Sequence, residues 1–223
     1  MKKIVFTLAF AIISVLGVSA QNSSVYFDGI SNLRFGYAGV LNSSDPKVTG
    51  GFEFGFNMIE FGFRPYESGA ISLGADFMLD EFGADKGYYY NTVAHKTEIT
   101  PALVNVKEIH RSRATVCAFG FPLNFTQTLG DKLAVTIGAS AKVNINADTY
   151  VDFTNITDDN CTMSVYGIPT NRLTYDFHLA VTYDDFGIYA TYSPMKVFEH
   201  GAGPDFNFFS VGLFIRKPEY SKD

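Results

Sequence analysis

The chain has 223 residues, a formal net charge of −6, 47% hydrophobic and 16% aromatic residues, 18% charged residues, 20 Gly, two Cys and no Trp. Such a chain is too rich in aromatics and too poor in charge to be disordered, and its aperiodic glycine and two cysteines exclude collagen-like and disulfide-dense classes. A mean hydropathy of +0.07 with a single long apolar run argues against a multi-helix membrane protein, and an acidic balance without a basic stripe excludes a nucleic-acid partner.

The N-terminus comes first. Lys2 and Lys3 precede an uncharged apolar run from Ile4 to Val18, and Val18-Ser19-Ala20 supply small residues before a cut. That order predicts a cleaved secretory signal peptide over residues 1–20. The run is shorter than the ~20 residues of a membrane span, and no Cys near the cut offers a lipid anchor. Cleavage leaves residues 21–223 as one domain and, by removing Lys2 and Lys3, moves the formal charge from −6 to −8.

The rest of the chain alternates with period two, the mark of strands with two unlike faces. In chain order, strands are expected at about 31–41, 50–63, 69–80, 112–126, 132–146, 172–183, 186–193 and 205–216. Phe52, Phe54, Phe56 and Met58 alternate with Glu53, Gly55 and Asn57; Ile71 to Leu79 alternate with Ser72, Gly74, Asp76 and Met78. Leu133 to Ile145 and Leu173 to Tyr183 show the pattern most cleanly.

The links between strands alternate in length as well. Short turns are expected at 64–68, 127–131 and 184–185, and longer links at 42–49, 81–111, 147–171 and 194–204. In an antiparallel meander all the short turns then lie at one end and all the long loops at the other. Outer-membrane barrels have this asymmetry. The expected fold is an all-β, eight-stranded antiparallel up-and-down transmembrane β-barrel.

Alternation alone leaves two barrels open. A soluble secreted lipocalin-like barrel keeps its apolar face inside to bind a ligand; a membrane barrel turns it to lipid. The polar faces carry Gly, Ala, Ser, Thr and Asn with isolated charges at Arg34, Glu53, Asp76, Lys142 and Asp176. That suits a narrow interior better than a solvated exterior, which is usually denser in Lys and Glu. The apolar faces are nearly uncharged for some ten residues, close to the ~9–11 of a tilted spanning strand. Tyr37, Tyr183, Tyr189, Tyr192 and Phe186 are placed at strand ends as interfacial aromatics.

Phe119-Gly120-Phe121-Pro122-Leu123, Leu129-Gly130-Asp131-Lys132-Leu133 and Phe209 to Arg216 complete the pattern. With the signal peptide and eight strands, these residues resemble the small outer-membrane β-barrel proteins of Bacteroidetes-type bacteria, the porin-like and OmpX/OmpA-barrel-like group. The resemblance covers most of the mature chain. It implies the bacterial outer membrane, contact with outer-membrane lipid, insertion by the barrel-assembly machinery, and long extracellular loops that meet a surface partner or ligand. Such chains often end on an aromatic of the last strand; here Lys217 to Asp223 follow it.

Chemistry is sparse. No phosphate loop, nucleophile elbow or metal-binding helix motif is present, so no catalytic, cofactor or metal residues are assigned. Of His95, His110, His178 and His200, three fall in expected loops. His178 shares a face with Asp176 and Thr174, each step of two residues being about 7 Å along a strand. This set carries the enzyme alternative, a lipid or peptide hydrolase or acyltransferase using His178 and Asp176. The competing reading is an interior ion network in which Arg34, Lys142 and His178 balance Glu53, Asp76 and Asp176. Asp158-Asp159-Asn160 reads as a solvated loop tip rather than a calcium site. Cys117 and Cys161 are left as possible partners, and segment 81–111 is long enough for an added hairpin or two further spanning strands.

Overall fold

The computed structural model describes residues 24–29, 32–45, 47–91, 95–100 and 106–216. The expected signal peptide and the segment after Arg216 lie outside the described residues. Among the described residues thirteen strands are formed: β1 Ser24–Asp28, β2 Asn32–Leu41, β3 Val48–Thr49, β4 Gly51–Tyr66, β5 Gly69–Ala84, β6 Gly87–Asn91, β7 Lys96–Thr100, β8 Val106–Leu129, β9 Leu133–Asn155, β10 Asn160–Tyr166, β11 Leu173–Tyr183, β12 Phe186–Ser193 and β13 Asn207–Arg216. All pairings named below are antiparallel.

Eight of these strands close a barrel in the order β2-β4-β5-β8-β9-β11-β12-β13, and β13 returns to β2. Closure rests on the ladder Asn207↔Leu41 through Arg216↔Asn32. It removes the open edges that an eight-stranded sheet would otherwise present. β1 continues the line of β2 along β4, with Ser24 opposite Arg64 and Asp28 opposite Glu60.

The short turns gather at one end. β4 and β5 are joined through Glu67-Ser68, β8 and β9 through Gly130-Asp131-Lys132, and β11 and β12 through Asp184-Asp185. Gly130 (φ 70°) and Asp184 (φ 58°) take the left-handed conformation that tight hairpins need and that Gly and Asp tolerate best.

The opposite end is more built than the alternation suggests. β8 and β9 run on well past the expected 112–126 and 132–146, and β10 pairs with the extension of β9, Asn160 opposite Thr154 to Tyr166 opposite Asp148. Segment 81–111 adds no spanning strands among its described residues. Its β6 and β7 form a separate two-stranded sheet, Gly87↔Thr100 to Asn91↔Lys96.

Two bulges shift the phase of the faces. Met58 has no partner on β5, so Asn57 and Glu60 both face inward while Ile59 and Phe61 face out. Strict alternation would have sent the Glu60 carboxylate outward. Ile145 is likewise skipped on β9, where Cys117 faces Asn146 and Ala118 faces Asn144. Beyond it Ala147, Thr149 and Val151 point in, and Asp148 and Asp152 take the outer side.

Candidate functional site: a charged lumen inside an apolar belt

The outward residues of the eight barrel strands form an apolar belt. Phe35, Phe61, Leu73, Phe121, Ile137, Phe177, Leu179, Ile188 and Leu213 are all exposed, Phe177 at 51% and Leu179 at 48%. On β11 the belt runs from Leu173 to Tyr183. Ten steps of about 3.3 Å at a tilt near 40° give a height of about 25 Å. Tyr37, Tyr183, Tyr192 and Phe186 are exposed at its rims, as expected. Tyr189 is not: it is buried in the lumen, because β12 turns Gly187, Tyr189, Thr191 and Ser193 inward. Gly36 makes room for it; a Cβ there would lie 2.4 Å from the Tyr189 hydroxyl.

The lumen is lined by the polar set. Lys142 is 2% exposed and lies between two carboxylates, 2.8 Å from Asp176 and 3.2 Å from Asp80. Its ammonium also sits over the Phe208 ring at 4.9 Å. Arg34 is ion-paired with Asp76, which accepts a second bond from Asn57 Nδ2 at 2.8 Å. Ser210 donates to Glu53 at 2.7 Å, and Ser193 donates to Asp176 at 2.5 Å. Buried charges persist only where such partners repay their desolvation.

This arrangement overturns the lipocalin-like alternative: apolar side chains are outside, and Lys142 and Asp176 are inside. It also separates the proposed catalytic pair. Asp176 is held by Lys142 and Ser193, whereas His178 Nε2 meets Asn124 Oδ1 at 2.6 Å. The structure fits the interior network for Arg34, Lys142, Asp76 and Asp176, but His178 bonds Asn124 instead of balancing a carboxylate, and Glu53 bonds Ser210. Asp80, which sequence reasoning missed, is a full member; it stands at the end of an expected strand, where a charge reads as the start of a loop. His110, expected in a loop, is on β8 and meets Thr154 Oγ1 at 2.7 Å.

Toward the turn end the lumen opens into a cavity of about 70 Å³ lined by Arg34, Asn57, Asp76, Asn124, His178 and Tyr189. Toward the loop end it is filled. Phe82, Phe198, Phe206 and Phe208 stack edge to face, with centroids 4.9–6.0 Å apart, and Val116, Val151, Ile168 and Val197 complete an apolar plug. Tyr88 of the β6–β7 hairpin is buried in the plug; its N–H donates to Ser112 Oγ (2.9 Å) and its hydroxyl to the Gly83 carbonyl (3.2 Å). Burial pushes its phenol well above the ordinary value, so it stays neutral.

Above the barrel, the β9–β10 turn is a hydrogen-bonded tip. Asn155 Oδ1 accepts from the Thr157 N–H, the Thr157 hydroxyl and the Asp159 N–H. Lys107 pairs with Asp158. Hydrogen bonds from Thr157 and Asn155 hold the Asp159 carboxyl below the usual range. Both thiols are free. Cys117 lies opposite Asn146 and Cys161 opposite Phe153, seven residues apart along β9. That is about 23 Å at 3.3 Å per residue, far beyond disulfide reach.

No protein-family model matches the chain, and no curated protein sequence does. Among solved structures it is similar to Ail, the attachment invasion locus protein of Yersinia pestis, at 11% identity and TM-score 0.36, over 85% of this chain and 99% of that one. It is similar to Ail in complex with the heparin analogue sucrose octasulfate at 12% identity and TM-score 0.34, with the same coverage. An engineered protein from work on asymmetric conductivity matches at 6% identity and TM-score 0.21, over 87% and 100% of the two chains. Likeness at this level carries no functional argument. The closed antiparallel barrel rests on its own strand pairing.

Proposed function

We propose that this chain is a bacterial outer-membrane β-barrel protein without enzymatic activity, exported by a cleaved signal peptide and inserted by the barrel-assembly machinery. The observation that carries the reading is the uncharged, exposed belt around a charged lumen. An apolar exterior of this height matches the hydrocarbon core, and a closed barrel leaves no backbone group unpaired in lipid.

The role follows from what the lumen does not offer. An eight-stranded barrel is just wide enough for its own side chains, and here the Phe82–Phe206–Phe208 plug and the Lys142 network block it above the cavity at the turn end. The chain then acts as a structural or surface-interaction protein, presenting the β8–β9–β10 extension and the β6–β7 hairpin to an extracellular partner or ligand.

The test is a heat-modifiability gel on purified outer membranes. The unboiled protein should migrate apart from the boiled one and fractionate with membranes. A protein found in the aqueous fraction, with no shift on boiling, refutes the membrane reading. Planar-bilayer conductance well above background refutes the closed lumen.

A further inference from the structure

Lys142 stands between two carboxylates in a dry layer of the lumen. Its Nζ is 2.8 Å from Asp176 Oδ2 and 3.2 Å from Asp80 Oδ2, and the three residues are 0–3% exposed. None of them lines the cavity at the turn end. The Phe208 ring lies under the Lys142 nitrogen at 4.9 Å, and the aromatic plug closes the layer from the loop end. An amine and a carboxyl held in contact, away from bulk water, are the reactants of an amide bond.

The strand register explains why they meet. Lys142 of β9 is opposite Thr174 of β11, and Asp176 is opposite Ser140. Lys142 and Asp176 are therefore diagonal neighbours on the inward face, about 7–8 Å apart at the backbone, a span that the four-carbon lysine stem closes. Asp80 approaches from β5, which lies beyond β8. The two oxygens of Asp176 are also told apart. Ser193 of β12 donates to Oδ1 at 2.5 Å, while Oδ2 faces Nζ.

We propose that Lys142 and Asp176 condense after folding into an intramolecular amide (isopeptide) bond, with Asp80 as the proton relay. Asp80 accepts one proton from the Lys142 nitrogen and passes it to Asp176 Oδ2. The freed lone pair attacks Asp176 Cγ, and the Nζ–Cγ bond forms. A second Nζ proton follows the same route, the Cγ–Oδ2 bond breaks, and Oδ2 leaves as water. The third proton stays on the amide nitrogen and can donate to Asp80. The three groups carry one net negative charge before and after, and no oxidant or reductant is consumed. Fixed contact supplies most of what such a step needs, because the reactants no longer have to be brought together. The Ser193 hydroxyl stabilises the charge that gathers on Oδ1 during the attack. The product replaces a buried ion pair, with its desolvation cost, by a neutral amide. A void of about 10 Å³ lined by Lys142, Asp80, Thr174 and Ser193 is close to the space that one water requires. The bond ties β9 to β11 across the barrel wall. It forms after folding, so the freshly folded barrel carries the ion pair and its stability reports that pair.

Intact-mass spectrometry of the full chain tests the site. The chain kept in urea, before it has folded, should have the mass of its sequence. After folding in detergent, the heat-modifiable barrel should be lighter by one water. Proteolysis should then release peptides of β9 and β11 joined at Lys142 and Asp176. Lys142→Arg should fold with unaltered mass, and Asp176→Asn should lose one ammonia in place of one water. If neither variant folds, the joined peptides of the wild type decide alone. A folded wild-type barrel of unaltered mass overturns the proposal. So does a water loss without joined peptides, as dehydration at Asp28-Gly29 would give, or a loss that persists in folded Lys142→Arg.

Discussion

Replacing Lys142 by Met removes one cation from between two buried aspartates and leaves the rest of the lumen its shape. The ammonium is 2.8 Å from Asp176 and 3.2 Å from Asp80, and the residue is 2% exposed. The pair itself adds little net stability, since desolvation offsets much of its attraction. Losing one partner is different, because the aspartates are left uncompensated inside the barrel. Breaking a buried pair this way costs about 3–5 kcal/mol. With a urea m-value near 2 kcal/mol/M, the midpoint should fall by about 2 M. The chain has no Trp, so unfolding in detergent is followed by the gel shift on boiling and by far-ultraviolet circular dichroism. The double variant Lys142→Met/Asp176→Asn removes the charge that Lys142 had compensated and should recover at least half of the loss. A shift equivalent to less than about 1 kcal/mol, the ceiling for an exposed pair, would falsify the caged-ammonium reading. So would a double variant as unstable as the single one.

Leu179→Arg places a charge in the middle of the belt and should destabilise the lipid-inserted barrel by about 2–4 kcal/mol; unchanged folding into vesicles would mean that this face does not meet lipid. Gly138 lies under His178 and Asn124, where a new Cβ would stand 2.5 Å from atoms of both. Gly138→Val should therefore cost about 1–3 kcal/mol by overpacking, read as a lower urea midpoint, and an unaltered midpoint would mean that the lumen is looser than its contacts imply. Phe82→Ala, which hollows the plug, should cost about 3–5 kcal/mol and speed hydrogen exchange at Tyr88 and Ser112; slow exchange in the variant would show that the plug does not depend on this ring. The Asp159 carboxyl is held low by Thr157 and Asn155, so its contribution to the β9–β10 turn is complete above the ordinary aspartate value and is lost as pH falls through the lower folded one. Amide protection at Thr157 and Asp159, taken relative to the intrinsic exchange rate at each pH, should fall on acidification across that window, and that fall should vanish in Asp159→Asn.

The candidate site was legible in its members more than in its bonds. Arg34, Glu53, Asp76, Lys142 and Asp176 each interrupt an alternating strand as an isolated charge, and that is visible in one dimension. Their pairing is not: Lys142 and Asp80 are 62 residues apart, and Ser210 and Glu53 are 157 apart. The His178–Asp176 pairing suggested by spacing does not form, because His178 bonds Asn124 on β8 while Asp176 is held by Lys142 on β9 and Ser193 on β12.

By itself the sequence determined the eight barrel strands, the outward face of most of their apolar residues and the end at which the short turns lie, because period two and turn chemistry are local. Tertiary structure decided the rest. Closure of β13 on β2 is a register between distant segments. The bulges at Met58 and Ile145 exist only relative to a partner strand, yet they direct Glu60 and Val151 inward. Tyr189 has room in the lumen because Gly212 opposite it and Gly36 one strand further on are small, and the plug forms because the loops fold back over β5, β8 and β9. A strand carries its own alternation, but a neighbour must be present before a charge is paired, a bulge is defined or a ring is buried.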